Sequence, residues 1–392
     1  MSESIRVTIL PYRSTASGMT TYSDYLLKSL ILTGVDVSVV GFGLPPIFII
    51  QEGIEYNDLG TDPNRMDYIG GPWLTYLYIR EVLKKFFSRG VRKSDIFHYI
   101  YPGANINIKH FQNSMEVVTS WGFASVHDIM TRTTLDLNLS SLPFALIGKL
   151  QHFYLDKTSY SKADLIIGTT SASINFWEKN VKGLSGKYIP LPVEVISGLA
   201  ISKGQEKKAI KFIVGERDLE RPRNNVIRAL RAFELLFKEG YTNFNIYLVG
   251  GHGERLANKV RRLVSKGMNV LLFNYLPKAE YEEILSNSDV ALVPRYIIDQ
   301  GAYWALEAMA HGSCVVASDL PAFTDFVVPG LNGFLVDPFS ENDMADKLKI
   351  ILEDYGLLEK LKIGAYTWVL ANHNLDVVGK KHLEVYKELL ER

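Results

Sequence analysis

Residues 299–312 read Asp299-Gln-Gly-Ala-Tyr-Trp-Ala-Leu-Glu-Ala-Met-Ala-His-Gly312, directly after the short apolar run Asp289-Val-Ala-Leu-Val-Pro294. The apolar run predicts a buried strand, and the Ala, Leu and Met that follow predict a helix ending at Gly312, a usual helix-stopping residue. Asp299 and Glu307 stand eight positions apart. This spacing puts Asp299 in the loop past the strand and Glu307 on the opening turns of the helix. Open α/β sheets bind their ligands at that edge. An ionised carboxylate only accepts hydrogen bonds, which suits the adjacent hydroxyls of a ribose or a sugar.

The stretch resembles the carboxylate-x7-carboxylate signature of family 4 retaining glycosyltransferases of GT-B fold, the glycosyl transferases of group 1. The downstream match is Glu307-Ala-Met-Ala-His-Gly-Ser-Cys-Val-Val-Ala317, then Val328-Pro-Gly-Leu-Asn-Gly-Phe-Leu-Val336. The family's first acid is usually Glu; here it is Asp299, one methylene shorter. The resemblance spans nearly the whole chain and is densest in the second half. It implies an α/β protein of two doubly wound, Rossmann-like domains facing an interdomain cleft.

A length of 392 residues suits two such domains, and 47% hydrophobic with 22% charged residues is a globular composition. The 43 basic and 43 acidic residues balance, so no polyanionic partner is implied and no basic stripe suggests nucleic acid. The single cysteine, Cys314, lies in an apolar run and reads as a small buried hydrophobe of a reducing compartment. No apolar run approaches the ~18–20 residues needed to cross a bilayer, and a cytoplasmic protein is expected. The boundaries expected are a first domain over residues 1–194, a Ser/Gly/Lys-rich linker over 195–208 and a second domain over 209–374. A final amphipathic helix, 375–392, is expected to pack back on the first domain.

In the first domain, residues 5–10 predict a strand and Ser14-Thr-Ala-Ser-Gly18 a loop before a helix from about Thr21, with Thr21 and Asp24 spaced as a capping box. A strand, small-residue loop and helix N-terminus make a ready anion site; alone it reads equally as an ordinary βα turn, while the resemblance implies that this loop approaches the donor's phosphates or the acceptor, with Gly18 taken as a donor contact. Residues 36–42 and 46–51 read as further strands, and 97–100 as another. Residues 73–93 form a helical pattern with an aromatic face edged by Arg80, Lys84, Lys85, Arg89, Arg92 and Lys93. Such a helix either packs on its own sheet or lies on an anionic membrane surface, near a lipid-linked acceptor. The run Val117 to Asp128 leads to His127. A His-Asp pair at a strand end is commonly structural, but the resemblance makes His127 a donor-sugar contact from the first domain.

The second domain opens with residues 210–214 and then Gly215-Glu-Arg-Asp-Leu-Glu-Arg-Pro-Arg-Asn-Asn225. The family places an Arg and a Lys here on the donor pyrophosphate. Asn224 stands where the Lys is usual, and an amide cannot stabilise phosphate charge as an ammonium does. Arg217, Arg221 and Arg223 are near enough to supply it, guanidinium binding phosphate bidentately. Arg217 and Arg223 are favoured, with pairing to Glu216, Asp218 and Glu220 as the alternative. Phe244 to Gly253 reads as a strand ending in Gly250, Gly251 and Gly253, where bare backbone admits a nucleotide.

Taken together, the resemblance implies transfer of a hexose-type sugar from a nucleotide-diphosphate donor to a hydroxyl acceptor with retained anomeric configuration. A glycosidase retains through a carboxylate nucleophile. None is identifiable here, and same-face attack as the phosphate departs is implied instead, helped by positioning and electrostatics. The catalytic set is His127, Asp299, Arg217 and Arg223; Gly215, Arg221, Asn224, the three glycines, Gln300, Gly301, Ala302 and Glu307 would hold the donor. No Asp-x-Asp triplet, zinc-spaced cluster or phosphate loop occurs in the sequence, so neither metal nor cofactor is expected. A lapsed subunit or scaffold and a nucleotide-sugar epimerase or hydrolase are the rival readings.

Overall fold

The computed structural model describes residues 4–13, 18–60, 81–88, 94–100, 105, 114–120, 153–196, 209–296 and 303–392. They form two compact units. One holds the described residues up to Pro192 together with Leu375–Arg392, and the other holds Val193–Asn374.

The first unit is built on a seven-stranded sheet in the order β3-β2-β1-β4-β5-β6-β7. Its strands are β1 (Arg6–Arg13), β2 (Asp36–Phe42), β3 (Glu55–Asp58), β4 (Ile96–Tyr99), β5 (Met115–Ser120), β6 (Leu165–Gly168) and β7 (Gly186–Tyr188). All pairings are parallel. Parallel sheets are covered on both faces, and accordingly every residue of β4 and β6 is buried. The unit's helices include α1 (Gly18–Leu32), α2 (Ile47–Gln51) and α3 (Ser171–Asn180), and residues 153–160 are helical as well. The Thr170 hydroxyl caps α3 by accepting from the Ser173 N–H at 3.2 Å. Trp177 of α3 centres an aromatic cluster, stacked on Phe153 at 5.4 Å with Tyr160 edge-on at 4.8 Å.

Two local expectations are corrected. Residues 46–51 are not a strand: the Ile49 N–H bonds back to the Pro46 carbonyl and the Glu52 N–H to that of Phe48, closing the turns of α2. Helix α1 starts at Gly18, so Thr21 lies inside it and not at an N-cap. Of the basic, aromatic stretch 73–93, residues 81–88 are described and are helical.

The second unit carries a six-stranded parallel sheet in the order β10-β9-β8-β11-β12-β13. Its strands are β8 (Ile210–Asp218), β9 (Phe244–Gly251), β10 (Val270–Phe273), β11 (Val290–Val293), β12 (Cys314–Ser318) and β13 (Gly333–Val336). The helices are α4 (Val226–Lys238), α5 (Glu254–Ser265), α6 (Lys278–Ser286), α7 (Tyr303–Ala310), α8 (Pro321–Thr324), α9 (Glu341–Glu353) and α10 (Tyr355–Asn372). Helix α4 buries Val226, Ala229, Leu230, Phe233 and Leu236, a 3.6-residue stripe. Phe233 meets Phe212 of β8 and Phe244 of β9 at 5.0 and 5.3 Å between ring centres. Cys314 is buried, which pushes its thiol up to about 12. Sequence order reverses between β8 and β11, and such a switch point is where open α/β sheets leave room for a ligand.

The last helix, α11 (Leu375–Leu390), returns to the first unit and packs on α1. Gly379 makes the approach possible, since a Cβ there would come 2.2 Å from the Ser29 carbonyl oxygen. Beneath α11 lies a buried polar chain. His98 Nδ1 is 2.6 Å from the Tyr386 hydroxyl and Nε2 is 2.7 Å from that of Thr119. His382 Nδ1 donates to the Val378 carbonyl at 2.9 Å. Burial holds His98 well below the ordinary histidine range, the nearby His382 adding to it, and burial lowers His382 to about 4.

Both rings are therefore neutral in the folded protein at pH 7. Below the ordinary value of 6.5 the unfolded chain takes up protons that the folded protein refuses, so stability falls between pH 6.5 and about 4. For His382 the full loss is about 3 kcal/mol. Thermal unfolding followed over that range should show the melting temperature dropping with pH, and less steeply in His382→Met. Identical slopes in the two proteins would show that His382 is protonated without cost.

Candidate active site

The described donor residues expected in the second unit lie at or beyond the carboxyl ends of β8 and β9, and on α7. Between Gly215 and Asp218 the ladder of β8 with β9 shifts register, so Glu216 and Arg217 leave the regular pairing. Gly215 sits against two aromatic rings. A Cβ there would lie 3.3 Å from the Tyr281 hydroxyl of α6 and 3.4 Å from the Trp304 ring of α7. The end of β8 is thereby held beside α7, the helix that carries half-buried Glu307.

The glycines that end β9 serve the same loop. Gly250 has φ of 147°, and a Cβ on it would stand 1.7 Å from the Glu216 carbonyl oxygen, an approach that no other residue allows. The Gly251 carbonyl accepts from the Leu219 N–H at 2.8 Å. The Tyr275 hydroxyl donates to the Arg217 carbonyl at 2.7 Å. Gly253 lies against Glu220, whose carboxylate accepts from the Leu256 N–H at 2.7 Å, near the start of α5. The backbone of 216–220 is thus laid along the glycine end of β9, and the exposed Arg217 side chain rides on it.

Asn224 is buried and donates to the Asp218 carbonyl at 2.5 Å. Next to it Asn225 takes a left-handed φ of 57° and donates to the Pro338 carbonyl at 2.9 Å. These two amides close the loop, and Asn225 is one of the few residues that tolerate its left-handed backbone region. Arg221 reaches Asp218 at 3.5 Å, both side chains about half exposed. Such a contact is worth little. The Arg223 carbonyl accepts from the Tyr296 N–H at 3.0 Å, which joins the loop to the segment after β11.

The strongest ion pair here was not foreseen. Arg295, just past β11, makes a bidentate pair with Glu216, Nε to Oε1 at 2.7 Å and a terminal nitrogen to Oε2 at 2.8 Å. The side chains are 10% and 5% exposed. Glu216 was expected, if paired at all, with the arginines beside it in sequence; its partner lies 79 positions on. The sign available in the sequence was one charge of each kind just past two apolar strands, readable only once β8 and β11 are known to be neighbours. Asp299, Gln300, Gly301, Ala302 and His127 lie outside the described residues, as do residues 197–208 of the expected linker. Gly18 opens α1 of the first unit.

The architecture is therefore two parallel-sheet, Rossmann-like α/β units, and proteins of similar structure are GT-B glycosyltransferases. Residues 201–368, most of the second unit, match the family described as Glycosyl transferases group 1. The chain is 26% identical over 263 residues to an uncharacterized glycosyltransferase of Methanocaldococcus jannaschii, a match covering 62% of this chain and 63% of that protein's length. It is 22% identical to the D-inositol 3-phosphate glycosyltransferase of a Nocardioides species, over 96% of this chain and 88% of the relative. Among solved structures, sucrose-phosphate synthase from Thermosynechococcus elongatus superposes with a TM-score of 0.71 over 99% of both chains, at 17% identity. That last likeness is one of fold.

Proposed function

We propose that the chain is a glycosyltransferase that moves a hexose-type sugar from a nucleotide-diphosphate donor to a hydroxyl of a glycan, lipid-linked or small-molecule acceptor, with retention and without a metal. One observation carries the reading. In the segment that matches group 1 glycosyl transferases, an arginine-bearing loop, a glycine-ended strand and the Glu307 helix meet at a topological switch point. Arg217 and Arg223 would hold the diphosphate and stabilise its charge as it leaves. Glu307 would bind the ribose, while Asp299 and His127 would orient the sugar. Asn224, committed to the Asp218 carbonyl, would shape the loop and leave charge stabilisation to the guanidinium groups. The protein would work in the cytoplasm, the basic stretch 73–93 drawing it to a membrane when the acceptor is lipid-linked.

The test begins with thermal unfolding in the presence of UDP, GDP and ADP and their sugars, with EDTA. A ligand at a hundred times its dissociation constant adds about 2.7 kcal/mol. A selective shift names the donor, and acceptor-dependent product with unchanged anomeric configuration then supports the reading. Donor consumed equally fast without acceptor would identify a hydrolase or epimerase. Absence of any shift would identify a lapsed, partner-binding subunit.

A further inference from the structure

A second basic feature of the same unit lies among the first turns of α4 and α5 and the loop before α4. It is a cavity of about 340 Å³ lined by Arg221, Arg228, Arg231 and Arg255, with Tyr296 on its wall. That volume is at the lower end of small-molecule pockets, roughly 300–1,000 Å³. Arg217, Arg223 and Glu307 do not line it.

Three properties make this a site and not a chance gathering of surface charge. First, Arg228 is fixed: its guanidinium lies over the Tyr296 ring at 5.4 Å, its Nε donates to the Tyr296 hydroxyl at 3.2 Å, and a terminal nitrogen donates to the Phe339 carbonyl. Second, the positive charge is underpaid. Arg228 and Arg231 share one carboxylate, Glu341, at 3.7 and 3.2 Å, and Arg221 has an exposed contact to Asp218. Among the described residues no carboxylate pairs with Arg255. Glu220, the one acid on the cavity wall, already accepts the Leu256 N–H. Third, the charge opposes the start of α4, whose first turn carries Arg228 and no acid and whose N-cap makes no side-chain bond. The start of α5 already holds Glu254 and the Glu220 carboxylate, and Arg255, its second residue, adds only its guanidinium. A cation at a helix N-terminus is unfavourable, whereas an anion there is favourable.

We propose that this cavity binds a small phosphate-bearing anion, a phosphomonoester or diphosphate, at a place apart from the donor arginines Arg217 and Arg223. Guanidinium forks from α4 and α5 meet the phosphate oxygens bidentately, and the uncapped start of α4 adds its backbone N–H groups. Arg221, expected at the donor, lines this cavity. The inference stands whatever reaction the protein performs.

Calorimetric titration with inorganic pyrophosphate tests it, using the full chain in low salt. The variants are Arg231→Gln with Arg255→Gln, and, separately, Arg217→Gln with Arg223→Gln. Arg255→Gln alone is a further variant that disturbs no ion pair. The cavity variants should weaken pyrophosphate binding at least tenfold in the double and severalfold in the single, with the melting temperature unchanged. The donor-loop double should keep the cavity affinity within twofold. The reverse pattern would place the anion at the donor loop, and equal affinity in all proteins, or no binding at millimolar concentration, would equally overturn the proposal.

Discussion

Arg295→Ala is expected to lower the stability of the second unit by about 3–5 kcal/mol, the usual result of leaving one member of a buried ion pair without its partner. The carboxylate left behind, Glu216, has 5% of its side chain exposed and pairs with no other cation among the described residues. The converse variant Glu216→Ala should cost about the same. The double variant Glu216→Leu with Arg295→Met should recover most of the loss, because two packed apolar side chains can replace a buried pair at little cost. Urea unfolding of the four proteins provides the comparison. A loss below about 1 kcal/mol in the single variants would mean that water reaches the pair. Because the pair joins the segment after β11 to the turn bearing Arg217, the double variant also separates stability from positioning. It should stay folded while binding donor more weakly.

Glu307→Ala carries the other large effect, on the donor. If the carboxylate accepts hydrogen bonds from the ribose hydroxyls, its loss should cost about 1.5–3 kcal/mol, or roughly 10- to 150-fold in the dissociation constant. The measurement is calorimetric titration of the nucleotide that gave the thermal shift. Glu307→Gln keeps one acceptor oxygen and should fall between the two. Unchanged donor affinity in a folded Glu307→Ala protein would remove the ribose assignment, and leave the half-buried carboxylate as a packing element of α7.

Much of the second unit is legible in the sequence because its signals are local. The runs Val290–Val293 and Cys314–Ala317 are apolar throughout and buried throughout, as parallel strands covered on both faces must be. The stripe of α4 repeats with the period of a helix. Misreadings fall where local signals are ambiguous. The segment Pro46-Ile-Phe-Ile-Ile-Gln51 is β-branched and short, so its periodicity cannot separate strand from helix. Its burial, Ile49 inside with Ile47 73% and Ile50 65% exposed, is not that of a covered strand. What could not be read at all is long-range. Glu216 finds Arg295 and His98 finds Tyr386, 288 positions away, and no property of either neighbourhood names the partner. The arginines beside Glu216 even suggest the wrong partner, since their nearness in sequence points to a pairing that Glu216 makes instead with Arg295.

The return of α11 to the first unit has a consequence for the order in which the protein is made. The second unit is continuous from Val193 to Asn374, and it can close as soon as that stretch has left the ribosome. The first unit, although it begins earlier, lacks the cover for α1 and the Tyr386 hydroxyl for His98 until the segment after Asn374 emerges. The half that is translated first is therefore completed last, with the α1 face left uncovered in the interval.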